Sequence, residues 1–72
     1  MKNRFVLKCN EWEEYDDNPV YIKSIEDEGD SFGFYVTEDI NKAKRFSNKE
    51  AIKWSDEIYD SYCDDFEVVQ VG

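Results

Sequence analysis

A single helix-start signal, the sequence Ser-Asn-Lys-Glu at residues 47–50, divides this chain into a β-like part and a helical part. In such a capping box the Ser47 side chain accepts a hydrogen bond from the Glu50 N–H while Glu50 reaches back. The signal predicts a helix over residues 48–63, ended by Asp64 and Asp65. Its predicted buried stripe holds Ala51, Ser55, Ile58 and Tyr62, with Ile52, Trp54 and Tyr59 at the edges.

Four short segments have the composition of β-strands: residues 4–9, 20–25, 31–37 and 66–71. The first segment alternates, with Phe5, Leu7 and Cys9 on one face, which is typical of a half-buried strand. The second and third are rich in β-branched and aromatic residues. A turn at residues 26–30, in which Gly29 supplies a positive φ, joins these two strands into a hairpin.

The segments between the strands carry turn and loop signals. Residues 10–19 predict a loop, because Asn18-Pro19 is a turn signal and the stretch is too acidic for a strand interior. Gly33, inside the third strand, predicts a bulge or close packing against another element. Thr37 or Asp39 can cap a short helical turn that precedes the main helix.

The resulting element order is βββ(α)αβ, which predicts a single α+β domain over residues 1–72. We expect a three-stranded antiparallel meander plus a C-terminal strand, with one face of the sheet packed on the main helix. A chain of 72 residues supports only a marginal core, and the high aromatic content of 17% adds buried area per residue.

The sequence lacks the residues that most catalytic and metal-binding sites require. The chain has no histidine and no glycine-rich phosphate loop, so we expect no catalytic residue, no metal site and no cofactor. The turn around Gly29 resembles an EF-hand loop, but Ser24 and Tyr35 stand where the first Asp and the bidentate Glu are needed. Only weak divalent binding by a charged hairpin turn is expected there.

The sequence holds no membrane span and no signal-peptide pattern, which indicates a soluble, cytoplasmic protein that does not bind membranes. Cys9 and Cys63 form no C-x-x-C pair, so reduced thiols are the simpler interpretation. A Cys9–Cys63 bridge stays open as an alternative if the two positions meet.

Charge is the strongest functional signal, since 18 Asp and Glu face 9 Lys and Arg for a net charge of −9. Such a chain repels nucleic acid and is steered toward basic surfaces, although solubility alone is an alternative reason for the charge. The first acidic patch is a loop of Glu11, Glu13, Glu14, Asp16 and Asp17 around Trp12 and Tyr15. The second is the turn of Glu26, Asp27, Glu28 and Asp30. The third is the helix face of Asp56, Glu57, Asp60, Asp64 and Asp65.

The helix patch is arranged against local stability. Asp56, Asp60 and Asp64 are spaced i, i+4, i+8, and like charges at that spacing near a helix C-terminus are unfavourable. Their axial step of about 6 Å lies within a factor of two of the phosphate spacing in nucleic acid. This pattern favours a binding surface that mimics a nucleic-acid backbone, with a plain solvated face as the alternative. Trp12 or Tyr15 would anchor the partner, unless Trp12 packs back on the sheet.

Residues 34–51, Phe-Tyr-Val-Thr-Glu-Asp-Ile-Asn-Lys-Ala-Lys-Arg-Phe-Ser-Asn-Lys-Glu-Ala, resemble a pattern in small bacteriophage and prophage proteins. In these proteins a strand ending in T-x-D leads into K-A-x-x-F and a capped K-E-A helix. Some small acidic members are anti-defence inhibitors, of anti-CRISPR or anti-restriction type, that resemble nucleic acid in charge. The resemblance implies neither a particular target nor any functional residue.

Together these features predict a non-enzymatic inhibitor in the cytoplasm of the host cell, a monomer or weak homodimer. It would bind and occlude a basic, nucleic-acid-binding surface of a host defence protein and would not bind nucleic acid directly. One alternative is an accessory module that mediates homodimerisation or assembly through a sheet edge or aromatic patch. Another is a Ca²⁺-dependent acidic binder.

Overall fold

The computed structural model describes residues 4–12 and 18–71, with Glu11 described by its backbone alone. The elements are β1 (Phe5–Trp12), β2 (Asn18–Asp27), β3 (Phe32–Thr37), a 3₁₀ turn (Ile40–Lys42), α1 (Asn48–Tyr62) and β4 (Glu67–Gln70). The strands form one antiparallel sheet in the order β3-β2-β1-β4. The predicted α+β class, the β1-β2-β3 meander and the element order are confirmed.

The first strand is longer than predicted, because β1 continues into the acidic stretch that we assigned to a loop. Trp12 pairs with Asn18 across the β1–β2 hairpin, after a register shift that begins at Cys9. The Trp12 ring packs on Phe34 and Phe66, with centroid distances of 6.3 and 5.7 Å. Pairing with β2 and this aromatic packing outweigh the low strand propensity of Asn10 and Glu11.

The irregularity in the β2–β3 ladder lies in β2 rather than at Gly33. The register shifts between Ile22 and Ser24, and both Ile22 and Ile25 pack in the core. An extra residue in a strand reverses the alternation of side chains beyond it, which accounts for this placement. A Cβ at Gly33 would meet no atom of the described residues within 4 Å, so the prediction of a bulge or close packing there is wrong.

A short segment after the 3₁₀ turn fills the space beside β1. The Lys44 N–H donates to the Ile22 carbonyl at 2.8 Å. Phe46 and Phe5 exchange two backbone hydrogen bonds, of 2.7 and 3.0 Å, and Phe5 also lies opposite Gln70 of β4. Phe46 therefore acts as a one-residue strand beside β1, and its side chain is buried in the core.

The predicted capping box starts α1. The Glu50 N–H donates to Ser47 Oγ at 3.2 Å, and that hydroxyl donates to the Glu50 carboxylate at 3.3 Å. The helix ends at Tyr62, one residue before the predicted end, because Cys63 adopts the left-handed conformation with φ 61°. At the preceding turn Asp39 is the cap, since its side chain accepts from the Asn41 N–H at 2.9 Å.

The core lies between α1 and one face of the sheet and contains Leu7, Ile22, Phe46, Ala51, Ile58 and Phe66. The predicted stripe is confirmed at Ala51 and Ile58, which are fully buried. It is wrong at Tyr62, a predicted member of the stripe that is 45% exposed, and at its edge, where Ile52 and Tyr59 are 56% and 58% exposed. Of the helices in the described parts of the chain, none is long and apolar enough to cross a membrane.

Candidate partner-binding surface

The exposed side of α1 carries both carboxylates and apolar side chains. Asp56, Glu57 and Asp60 are exposed, as the sequence predicted. A rotation of about 100° per residue places Ile52 and Tyr59 on the same flank of the helix as Asp56. This flank therefore combines two exposed apolar side chains with an acidic one, a mixture that recurs where proteins bind each other. The spacing of seven between Ile52 and Tyr59 was visible in the sequence, but we assigned both residues to the edge of the core.

Asp64 does not continue the acidic stack. The helix ends at Tyr62, and the left-handed Cys63 turns the chain away before Asp64 is reached. Asp64 is half-buried, and this burial raises the pKa of its carboxyl above the usual 3.8. The stack on the helix thus consists of Asp56 and Asp60 alone, and the predicted third member is wrong. Asp65 is exposed beyond the helix end.

The predicted acidic loop is described only at its base. Glu13, Glu14, Tyr15, Asp16, Asp17 and the side chain of Glu11 lie outside the described residues. Cys9 and Asn10, just before the loop, line one shallow depression together with Cys63, Asp64 and Asp65. The base of the loop therefore adjoins the C-terminal end of α1, and both cysteines, present as thiols, border the same depression.

The two predicted anchors of the loop differ in what the structure describes. Trp12 is half-buried, since its ring packs on Phe34 and Phe66, and part of its surface stays accessible. Tyr15 lies outside the described residues. The packing of Trp12 fixes the loop base to the core. A partner could therefore contact only the part of the Trp12 ring that stays accessible to solvent.

The second acidic patch is a tight turn between β2 and β3. The Gly29 N–H donates to Asp27 Oδ1 at 3.0 Å, and the Glu28 N–H donates to the Ser31 carbonyl at 2.9 Å. Gly29 has φ 89°, as expected for its position in the turn. Among the residues that the structure describes, no three His, Cys, Asp or Glu side chains are grouped closely enough to hold a metal ion.

A groove of about 570 Å³ separates this turn from α1. Its aromatic residues are Phe32, Trp54 and Tyr62, with Phe32 lying 5.2 Å from Trp54 and 5.5 Å from Tyr62 between ring centroids. The Tyr62 hydroxyl donates to the Phe32 carbonyl, which ties the end of the helix to β3. Carboxylates line both sides of the groove: Asp27 and Asp30 from the turn and Glu57 from the helix.

One cation already lies in this groove. The Lys53 ammonium stands 4.8 Å from the centroid of the Trp54 ring, a distance typical of a cation–π contact. Trp54 and Glu57 lie on the flank of α1 opposite Ile52 and Tyr59, and Lys53 lies between the two flanks. No signal in the sequence predicted the groove, because the turn that forms its other wall is far from α1 along the chain.

No protein-family model, curated protein or solved structure matches this chain. The function is therefore inferred from the surface of the protein. On that surface the β2–β3 turn lies across the groove from α1, and Asp64 and Asp65, beyond the end of α1, border the same depression as Cys9 and Asn10.

Proposed function

We propose that the protein is a non-enzymatic inhibitor that binds and occludes a basic, nucleic-acid-binding surface of a host defence protein. One observation supports this most directly. Asp56, Glu57 and Asp60 are exposed on the second half of α1, and within α1, all of which the structure describes, the last turn holds no basic residue. Asp60 lies in the last turn, where the helix dipole disfavours an acidic group, and Asp56 adds a like charge four residues before it, so stability alone does not account for this pair.

The cost of placing Asp60 in the last turn, four residues after Asp56, is small. A charge near a helix terminus changes stability by about 0.3–1 kcal/mol, and a like-charge pair at i, i+4 such as Asp56 and Asp60 costs a few tenths of a kcal/mol. A basic partner surface would offset both terms with favourable charge pairs across the interface. Complementary charge also accelerates association and disfavours acidic competitors.

Geometry supports occlusion of a nucleic-acid site. The carboxylates of Asp56 and Asp60 are separated by an axial rise of about 6 Å, within a factor of two of the phosphate spacing along a strand. The turn patch extends the acidic surface across the groove, and Asp65 extends it beyond the end of α1. Lys and Arg side chains that are arranged to bind a nucleic-acid backbone would instead pair with the carboxylates of this surface. The bound inhibitor would then exclude nucleic acid from the site.

The phage-type setting follows from the resemblance at residues 34–51, and it assigns the protein to the cytoplasm of an infected cell. Neither the acidic helix nor the groove depends on that setting. An inhibitor acting there needs no cofactor and no catalytic group, since binding alone blocks the target surface.

Affinity purification from a bacterial lysate at low salt, followed by elution with a salt gradient and mass spectrometry, tests the proposal. We expect a nuclease or other nucleic-acid-binding protein that elutes as salt rises, because salt screens exposed charge pairs. The D56K/D60K variant should lose this protein. D60K alone should weaken retention of this protein, whereas the matched control E38K, which makes the same change of charge at an exposed position away from α1, should not.

Recovery of the same partner by D56K/D60K, or equal effects of D60K and E38K, would contradict a role for the helix face. A partner whose elution is independent of salt would contradict charge complementarity. Asp64, which lies beyond the helix, is best tested separately, because D64K would also introduce a half-buried lysine.

The second candidate function is assembly through the edge of β3. In the described sheet β3 is an outer strand, and its sequence Phe-Gly-Phe-Tyr-Val-Thr contains no charged residue. Tyr35 on this strand is 57% exposed, and its hydrogen bond to the Glu26 carboxylate raises the pKa of the phenol above 10.0. A dimer formed by this edge should persist at high salt in light scattering, whereas the inhibitor complex should not.

A further inference from the structure

We propose that the groove between α1 and the β2–β3 turn is an insertion site for one arginine side chain of the protein partner. The inference rests on the proposed function in one respect, that the arginine belongs to the basic surface which the acidic face binds. It goes further because it assigns a defined ligand, the guanidinium group of an arginine, to a groove that the sequence did not predict.

The aromatic floor suits a planar organic cation. Phe32 makes edge contacts with both Trp54 and Tyr62, and the hydrogen bond from Tyr62 to the Phe32 carbonyl holds the two walls together. Tyr62 is 45% exposed, so part of its surface is open to a ligand. A guanidinium group stacks on such rings and is weakly hydrated, which lowers the cost of its transfer into a groove.

Charge in the groove selects a cation over a neutral group. Asp27 and Asp30 approach from the turn and Glu57 from the helix, against the single ammonium of Lys53. The carboxylates therefore outnumber the resident cation and stand on both walls. Carboxylates on two sides can pair with the separate N–H edges of a guanidinium, whereas an ammonium offers a compact point charge.

Lys53 provides the second, independent observation. Its ammonium lies 4.8 Å from the Trp54 centroid, which shows that the ring face accepts a cation in the protein's own structure. Lys53 is exposed and has a flexible side chain, so an incoming arginine can displace it into solvent. Lys53 thus occupies the position that the ligand takes, and its removal should improve binding.

The test uses the folded domain and the probe Nα-acetyl-arginine amide, with the neutral isostere Nα-acetyl-citrulline amide as the reference ligand. Binding is followed by ¹H–¹⁵N NMR, including the indole N–H signal of Trp54. We expect saturable shifts at groove residues with a Kd of about millimolar order, as for one exposed cation–π and ion-pair contact. The citrulline probe should produce no saturable shift.

Three variants localise the site. D27N/D30N/E57Q should weaken arginine binding at least about five-fold, and the amide oxygen introduced by D27N still accepts from the Gly29 N–H that closes the turn. D56N/D60N/D65N removes the same charge outside the groove and should change the affinity by less than about two-fold. K53Q should tighten binding by about two- to five-fold, because the competing cation is gone.

Equal weakening by the two triple variants, or equal binding of the citrulline probe, would overturn the proposal. An unchanged or weaker affinity in K53Q would also overturn it. Because the probe is a small molecule, its binding does not depend on the identity of the partner. If arginine binds in the groove but no basic protein is recovered from the lysate, the proposed function fails while the groove assignment stands.

Discussion

The hydroxyl of Ser55 donates a hydrogen bond to the backbone carbonyl of Phe66 at 2.7 Å, which joins the middle of α1 to the chain entering β4. Phe66 is buried, so its carbonyl has little access to water if this donor is removed. We expect Ser55→Ala to lower the free energy of unfolding by about 1–3 kcal/mol. Urea unfolding monitored by circular dichroism measures the change, and Ser61→Ala, at an exposed position of the same helix, should change it by less than about 0.5 kcal/mol.

The two described glycines predict opposite responses to alanine. Gly29 has a positive φ of 89°, which alanine adopts only with strain. At Gly33 the added Cβ meets no described atom within 4 Å, and alanine there restricts the unfolded chain. In thermal or urea unfolding, Gly33→Ala should raise stability by about 0.4–1 kcal/mol and Gly29→Ala should lower it by about 1 kcal/mol or more. Destabilisation by both substitutions would show that the backbone at Gly33 is constrained in a way its geometry does not reveal.

Asp60 should affect stability and binding in opposite directions. It lies in the last turn of α1, where its carboxylate opposes the helix dipole. Asp60→Lys should therefore raise the free energy of unfolding, measured in urea, by about 0.3–1 kcal/mol at low salt. The same variant should weaken the low-salt complex with a basic partner. Parallel loss of stability and binding would instead indicate that Asp60 has a structural role.

The pKa of Asp64 predicts a pH-dependent effect. Burial raises this pKa above 3.8, so the folded state holds the proton more tightly than the unfolded state. Stability consequently falls as pH rises through the window just above 3.8, and the cost is fully present at neutral pH. Asp64→Asn should therefore melt at a higher temperature than the parent at pH 7, with the difference shrinking as pH falls below 3.8. A difference that is constant with pH would contradict the desolvation of this carboxyl.

The element order was predictable because its signals are local. The capping box fixed the start of α1 at Asn48, and Gly29 fixed the β2–β3 turn. What the sequence did not reveal depends on contacts between distant residues. Trp12 extends β1 by packing on Phe34 and Phe66, and the bulge in β2 reverses which side chains face the core. Neither effect leaves a periodic pattern in its own segment.

The sequence predicted which charged residues of the candidate site are exposed, but it did not predict how they are arranged in three dimensions. The exposure of Asp56 and Asp60 follows from helical periodicity, and the structure agrees. The prediction for Asp64 was wrong because Cys63 takes a left-handed conformation that glycine normally occupies at a helix end. The groove required knowledge of where the β2–β3 turn lies relative to Trp54, which is decided by the core as a whole.

The position of Phe5 between Phe46 and Gln70 has a consequence during synthesis of the chain. The first strand leaves the ribosome well before the residues that flank its beginning on both sides, because these are translated much later. Until β4 emerges, apolar Val6 and Leu7 lack their β4 partners Val69 and Val68. A strand with an unpaired edge is prone to pair with other chains until its own partner has been synthesised. The sheet is therefore completed only after α1 has been translated, because β4 follows α1 along the chain.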